Sequence, residues 1–446
     1  MLATRSRVPA WLPALFLLAL LLLILDVTGS ASAAPKRPRA HPALPPPLGG
    51  VNIIGLDRGS TPADADRAIS LAHSMHARVV RTELPWEDFE PSGPGQINPV
   101  ALAFTDRLIS DAAADGIRVI ATVDTSPCWA TAAPPSLLAS CSPTQPSAAN
   151  GWPPSEPESY ARFVAYLAAR YGTKLAAIEI WNEPDQVNEQ YFGGANKAQR
   201  YAAVLRAAYP AIKAANPKVA VLGGSFVGTN GVFLRALYAA GIKGYYDGLA
   251  VHFYTLTLAA LRSIHQLQLE NGDHTPLWLS EFGWSSCYPA SNIEQEQDCV
   301  TPATQALNLT NTFRSLSSAR YVAAAVVYKL QDDVGEEFGA LTASGKRKPS
   351  FKALSSAFVS PFGPISRVTL KLKRSGGQVV ASGSGPVGDF IELEASTARV
   401  RFKSQFTLNR FNQYSLTLPS VLGSSGVLVR VYEPWGGPSR GAQKRI

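Results

Sequence analysis

The chain has 446 residues, 46% of them hydrophobic, and its 35 glycines and 34 prolines are spread along its length. That composition excludes collagen-like and wholly disordered chains and leaves room for one large α/β domain plus a smaller one. The formal net charge of +8 points to no nucleic-acid partner. The densest basic clusters, Lys371–Arg374 and Arg399–Lys403, alternate with apolar residues as the solvated face of a β-strand does, and no nucleic-acid-binding motif accompanies them.

Arg5 and Arg7 precede an apolar run from Trp11 to Leu25, and small residues follow from Gly29 to Ala34. This is the order of a secretory signal, with Ala31-Ser32-Ala33 as the expected cleavage site; an uncleaved anchor through residues 11–25 is the alternative. Either places the body of the protein outside the cytoplasm, where loose association with a cell surface is conceivable. Prolines at 35, 38, 42 and 45 to 47 give residues 34–50 the texture of an extended tether. The cysteines fit that compartment. Of the three possible connectivities, the simplest joins Cys128 to Cys141 and Cys287 to Cys299, each pair closing one loop. No His lies at ligand spacing from either pair, so no metal is expected, and no other cofactor.

Between Val51 and about residue 360 strands and helices alternate. The expected strands are Val51–Leu56, Arg78–Thr82, Ile117–Val123, a fourth starting at Ala177, Lys218–Leu222, Tyr246–Tyr254, a seventh ending at Glu281, and Tyr321–Lys329. The expected helices are Pro62–Ala77, Pro99–Ala114, Pro157–Tyr171, Lys197–Ala215, Gly231–Ala240, Leu258–Glu270, Thr304–Ala319 and Ser350–Phe358. Prolines in the first turn, as at Pro62, mark several starts. Eight such pairs are the layout of a (β/α)8 TIM barrel. A doubly wound open sheet would show a Gly-rich phosphate turn after the first strand, and Asp57-Arg-Gly-Ser60 lacks that form. Residues 361–446 carry β-branched or alternating runs separated by Gly and Ser, so a small C-terminal all-β sandwich is expected. It shows no cluster of exposed aromatics, which favours a buttress for the barrel over a polysaccharide-binding face.

Ala177-Ile-Glu-Ile-Trp-Asn-Glu-Pro-Asp185 organises the chain. An apolar run stops at Pro184, which cannot donate a ladder hydrogen bond, and this leaves Glu183 at the carboxyl end of a core strand beside Asn182. Pro276–Trp284 repeats the shape, with Glu281 at its end. Catalysis in a barrel happens at that rim, and breaking a glycosidic bond takes two carboxyl groups. A capping or salt-bridged surface Glu is the bland reading of either alone; two at strand ends of one barrel argue for a pair. Arg81 ends strand two, and His252 and Tyr254 share a face of strand six by period-two alternation. A cation and a phenol beside one carboxylate would keep it ionised. Trp129, Trp181, Trp284 and Tyr328 are candidate platforms for sugar rings. Strict alternation cannot turn both Asn182 and Glu183 inward, so a kink is expected, most simply at Pro184.

Trp181-Asn-Glu-Pro184 together with Ser280-Glu-Phe-Gly-Trp284 resembles clan A of the retaining glycoside hydrolases. The form is closest to the β-xylosidase and α-L-iduronidase family, with the cellulase family next. The resemblance covers the barrel and implies a carbohydrate substrate. It implies Glu183 as general acid/base, Glu281 as nucleophile, Asn182 on the sugar 2-hydroxyl, Arg81 and Tyr254 supporting Glu281, and His252 lining the site. Many relatives carry a Trp near the end of strand eight, where Tyr328 and Lys329 stand here. The expectation is a secreted retaining glycosidase acting on an oligo- or polysaccharide. Its rivals are a non-catalytic glycan-binding barrel and a transglycosylase using the same residues.

Overall fold

The computed structural model describes residues 44–53, 60–228, 230–254, 258–288, 299–362, 367–385, 390–409, 412–432 and 441–446. The expected signal, its cleavage site and most of the tether lie outside these residues. Among the described residues no helix is long and apolar enough to cross a membrane.

Eight parallel strands close into a barrel: β1 Leu48–Asn52, β2 Val79–Glu83, β3 Arg118–Val123, β4 Leu175–Ile180, β5 Ala220–Phe226, β6 Gly248–Phe253, β7 Leu277–Phe282 and β8 Val322–Val327. Closure is made by β1 against β8, with Leu48 opposite Ala324 and Val51 opposite Val327. The first strand thus begins three residues before the expected Val51, in the segment read from its prolines as tether. Gly49 and Gly50 make the shift possible, because a Cβ at Gly49 would meet the Phe358 ring and one at Gly50 the Val79 carbonyl of β2. The expected helices Pro99–Ala114, Pro157–Tyr171 and Lys197–Ala215 are present with the same bounds. In the first two, proline stands at the opening turn, where its missing N–H costs nothing.

Two apolar cores follow from strand alternation. One joins strand residues such as Val80, Ile178 and Leu279 to the surrounding helices. The other fills the barrel, with Val79, Ile120, Ala177, Leu222, Ala250, Trp278, Ala324 and Val326. Two residues further along four of those strands the inward positions become Arg81, Thr122, Glu179 and His252, all buried. A polar layer therefore sits directly on the apolar plug at the carboxyl end of the barrel.

Beyond the barrel, β9 Lys371–Ser375, β10 Gln378–Ser384 and β13 Gln413–Thr417 form one antiparallel sheet. β11 Phe390–Ser396, β12 Arg401–Thr407, β14 Leu428–Tyr432 and β15 Ala442–Arg445 form another. Val379 and Ala381 of the first share a core with Ile391, Leu393, Val429 and Val431 of the second. Lys371, Lys373, Arg401 and Lys403 point outward as the alternation requires. A buried hydrogen bond from Asn412 to Asn308 (2.9 Å) ties this module to the barrel helix Pro302–Leu316.

Candidate active site

Arg81 anchors the polar layer. It is fully buried, and its guanidinium donates through Nε to Glu179 (2.5 Å), through Nη1 to Asn52 (3.0 Å) and Glu281 (2.6 Å), and through Nη2 to Asn182 (2.8 Å). The planar fork suits this task, since one cation holds two carboxylates and two amides in fixed directions. Thr122 also donates to Glu179 (2.5 Å). Burial alone would raise the Glu179 carboxyl, but the charge of Arg81, helped by the nearby His252 imidazole, outweighs it and holds the group well below the usual carboxylate range.

His252 stands between three carboxylates. Its Nδ1 is 2.9 Å from Glu183 Oε1 and 3.6 Å from Glu281 Oε2, and Nε2 is 3.9 Å from Glu179 Oε1. Burial pushes the imidazole down, yet the Glu281 charge, the proximity of Glu179 and the bond to Glu183 overcome it and raise the group to about 10. On Glu183 burial again pushes up, and the hydrogen bond and charge of His252, with a bond from Gln186 (2.9 Å), bring the net shift down. Glu281 is held from its other side by the Tyr254 hydroxyl.

One carboxylate oxygen of Glu183, one of Glu281 and a ring nitrogen of His252 all lie within 4.8 Å of one another. Among the described residues this is the group whose geometry matches a metal site.

The two glutamates face a cleft of about 600 Å³, also lined by Glu83, Asp124, Thr125, Asn182, Gln186, Gln190, Tyr191, Val227, Tyr254, Tyr328, Glu336 and Phe338. Tyr328 donates to Glu336 (2.9 Å) and meets Tyr254 edge to face, ring centres 5.6 Å apart. Of the sequence-expected site residues, Asn182, Glu183, Tyr254, Glu281 and Tyr328 line this cleft, and Arg81 and His252 lie directly beneath. The tryptophans do not line it. Trp181 is buried, donates to the Tyr191 carbonyl (2.6 Å) and packs on Phe192. Trp284 is buried against Phe282. Trp129 donates to the Glu90 carbonyl (2.6 Å) and stands edge-on to Trp86. Trp181 and Trp284 fill the space between strands and helices and Trp129 is partly buried beside Trp86, so none of the three lines the cleft as a platform.

The expected kink lies earlier than Pro184. Trp181 and Glu183 both adopt left-handed backbone, with φ of 68° and 45°. Trp181 N still donates to Val123 O and Glu183 N to Ser225 O, both at 2.9 Å, so flanking strands hold the irregular turn. Both cysteine pairs are joined, with Cα atoms 5.7 Å apart for Cys128–Cys141 and 5.2 Å for Cys287–Cys299.

Sequence reasoning missed Glu179, Glu83 and Asp124. The signal for Glu83 and Glu179 was period two, since each lies two residues from an inward position already recognised or implied, Arg81 and Ala177. The same step from Thr122 reaches Asp124.

A family model described as cellulase (glycosyl hydrolase family 5) matches residues 49–317. The chain belongs to the cellulase family. A β-glucosidase from an Agrobacterium species is 26% identical over 184 residues, 40% of this chain and 37% of that relative. The chain thus spans well under half the length of the curated relative it matches. Among solved structures, a family 39 glycoside hydrolase from the gut symbiont Bacteroides cellulosilyticus superposes with a TM-score of 0.54 at 18% identity, covering 84% of this chain and 81% of that one. A family 39 β-xylosidase from Caulobacter crescentus gives 0.52 at 18% identity, covering 80% and 84%. The solved structures share the barrel, and the family match bears out the clan resemblance drawn from the two glutamate motifs.

Proposed function

We propose that this member of the cellulase family is a secreted retaining glycoside hydrolase using Glu281 as nucleophile and Glu183 as general acid/base. The observation that carries the reading is the approach of the Glu183 and Glu281 carboxylates to within 4.8 Å across one cleft. That separation suits retention, which uses carboxyl groups about 5–5.5 Å apart, whereas inversion needs about 6.5–9.5 Å to admit a water. The names of the relatives, β-glucosidase and β-xylosidase, support β-linked oligosaccharides as the substrate class. The two disulfides support an extracellular setting.

Glu281, fixed by Arg81 and Tyr254, attacks the anomeric carbon as the bond to the leaving oxygen breaks. Asn182, aimed by Arg81, takes the sugar 2-hydroxyl. Glu183 and His252 share one proton along the 2.9 Å contact between Oε1 and Nδ1. Carried on Glu183, that proton goes to the leaving oxygen. In the second step Glu183 removes a proton from water, whose oxygen displaces Glu281 and restores the free carboxylate.

The test is paired. Glu281→Gln removes turnover of every aryl glycoside. Glu183→Gln spares 2,4-dinitrophenyl glycosides, which need no protonation to leave, and loses about 10²–10⁴-fold on poor leaving groups. Loss of equal size for both leaving groups in the Glu183 variant would refute the assignment.

A further inference from the structure

The charge of the chain is divided unevenly. Residues 361–446 hold 12 Lys and Arg against 4 Asp and Glu, which accounts for the whole formal net charge of +8, while residues 1–360 balance. The structure gathers four of these cations on one surface. In the sheet β12-β11-β14-β15, the residues that alternate away from the shared core fall into rows across the strands. Register sets Arg401, Ser396, Leu428 and Arg445 in one row, and Lys403, Glu394, Arg430 and Gln443 in the next. Arg401, Lys403, Arg430 and Arg445 are all exposed. Arg401 and Arg445 stand about 14 Å apart, three strand spacings, with Ser396 and Leu428 partly buried between them.

The acids of this face are already engaged. Lys403 meets Glu392 (2.9 Å) and Glu394 (3.9 Å), Gln405 donates to Glu392, and Tyr432 donates to Glu394 (2.9 Å). Among the described residues Arg401, Arg430 and Arg445 meet no carboxylate, and Arg430 Nε donates only to the neutral Gln443 Oε1 (3.2 Å). Three like charges on one sheet repel each other and bring the fold nothing, while each offers a planar fork suited to a carboxylate. The opposite sheet is different, since its outward cations Lys371 and Lys373 both lie on the edge strand β9.

The cleft carries the other sign. Its described lining holds the carboxyl groups of Glu83, Asp124, Glu183, Glu281 and Glu336 and no Lys, Arg or His. A polyanion is therefore drawn to the module and repelled by the cleft. Neither row of the basic face holds an aromatic residue, so it has no platform for stacked bases and no ring to sink into a bilayer. A neutral glycan would want aromatic platforms as well; a polymer of uronic acids wants only cations at intervals.

Resting on the glycosidase reading for its setting, we propose that the outward face of β12-β11-β14-β15 docks an acidic polysaccharide, a polyuronate whose carboxylates pair with Arg401, Arg430 and Arg445. The docked polymer holds the enzyme in a charged matrix while the cleft acts on a different chain.

The experiment measures binding of the full chain to polygalacturonate and to its methyl ester, which keeps the backbone and loses the charge. The parent is expected to bind the acid and not the ester, with Kd rising about 10-fold or more between 50 and 300 mM NaCl. Arg401→Gln, Arg430→Gln and Arg445→Gln combined should weaken binding about 10-fold, and Lys371→Gln, Lys373→Gln and Arg374→Gln combined, with the same loss of charge, less than about 3-fold. If circular dichroism shows the first triple variant misfolded, its three single variants are compared instead, each expected to lose about 2-fold. Turnover of a 4-nitrophenyl glycoside should be unchanged in both triple variants and by saturating polymer. Equal loss in the two triple variants overturns the proposal, as does equal binding of acid and ester. So does tighter binding to duplex DNA or to phosphatidylserine vesicles than to polygalacturonate. Binding needs no turnover, so a parent that cleaves no glycoside refutes the glycosidase reading alone, and the docking face is still decided by the two triple variants.

Discussion

Replacing Arg81 by Met tests the centre of the site more sharply than removing either glutamate. The side chain fills similar space, but the cation that meets two buried carboxylates disappears, along with four donated hydrogen bonds. Breaking a buried ion pair from one side costs about 3–5 kcal/mol, because the remaining charge keeps its desolvation penalty. That is a large share of the roughly 5–15 kcal/mol available to a folded domain. Urea unfolding of the variant should show an unfolding free energy lowered by that amount at neutral pH, with activity lost. The pH dependence supplies the sign. In the parent, Glu179 has a depressed carboxyl, so its contribution is present above the ordinary value near 4.3 and is lost as the pH falls below it. Without Arg81, burial dominates and drives the same carboxyl upward, so its penalty is greatest at neutral pH and fades on acidification. The gap between parent and variant should therefore narrow below about pH 5. Adding Glu179→Leu to Arg81→Met should recover part of the loss, since removing both partners leaves one fewer stranded charge. A single-variant loss under about 1 kcal/mol, the scale of a surface pair, would refute the reasoning.

His252 carries the opposite sign. Its folded value is raised to about 10, so the stability it contributes is fully present below about pH 6.5 and is lost as the pH climbs through 10. His252→Gln should accordingly lose on the order of a few kcal/mol in urea unfolding at pH 6 and much less at pH 10. Gly50→Ala should lower stability by about 1–3 kcal/mol, because the added methyl meets the Val79 carbonyl of the adjoining strand rather than a side chain able to move; differential scanning calorimetry measures it as a lowered Tm.

The barrel was legible because its signals are local. Apolar runs, capping prolines and turn residues each speak for a few positions, and helices such as Pro157–Tyr171 emerged with the expected bounds. Glu183 and Glu281 were legible for the same reason, since each interrupts an apolar strand at its carboxyl end. What escaped was set by partners distant in sequence. The left-handed backbone at Trp181 and Glu183 is held by Val123 and Ser225 of neighbouring strands, so no property of Pro184 could locate it. The tryptophans near the motifs looked like sugar platforms because a buried indole and an exposed one read identically along a chain. Glu179 was passed over inside Ile-Glu-Ile, where a carboxylate is tolerable only because Arg81, 98 positions away, reaches it. Yet the alternation that put His252 and Tyr254 on one face applies to other strands as well. Followed along β2, β3 and β4, the inward line runs from Val79, Ile120 and Ala177 to Arg81, Thr122 and Glu179, and then on β2 and past β3 to Glu83 and Asp124 at the cleft. Several strands change from apolar to charged at one height, and only barrel closure makes those heights coincide. The site is thus encoded less in the two glutamate motifs than in the common level at which neighbouring strands stop being hydrophobic.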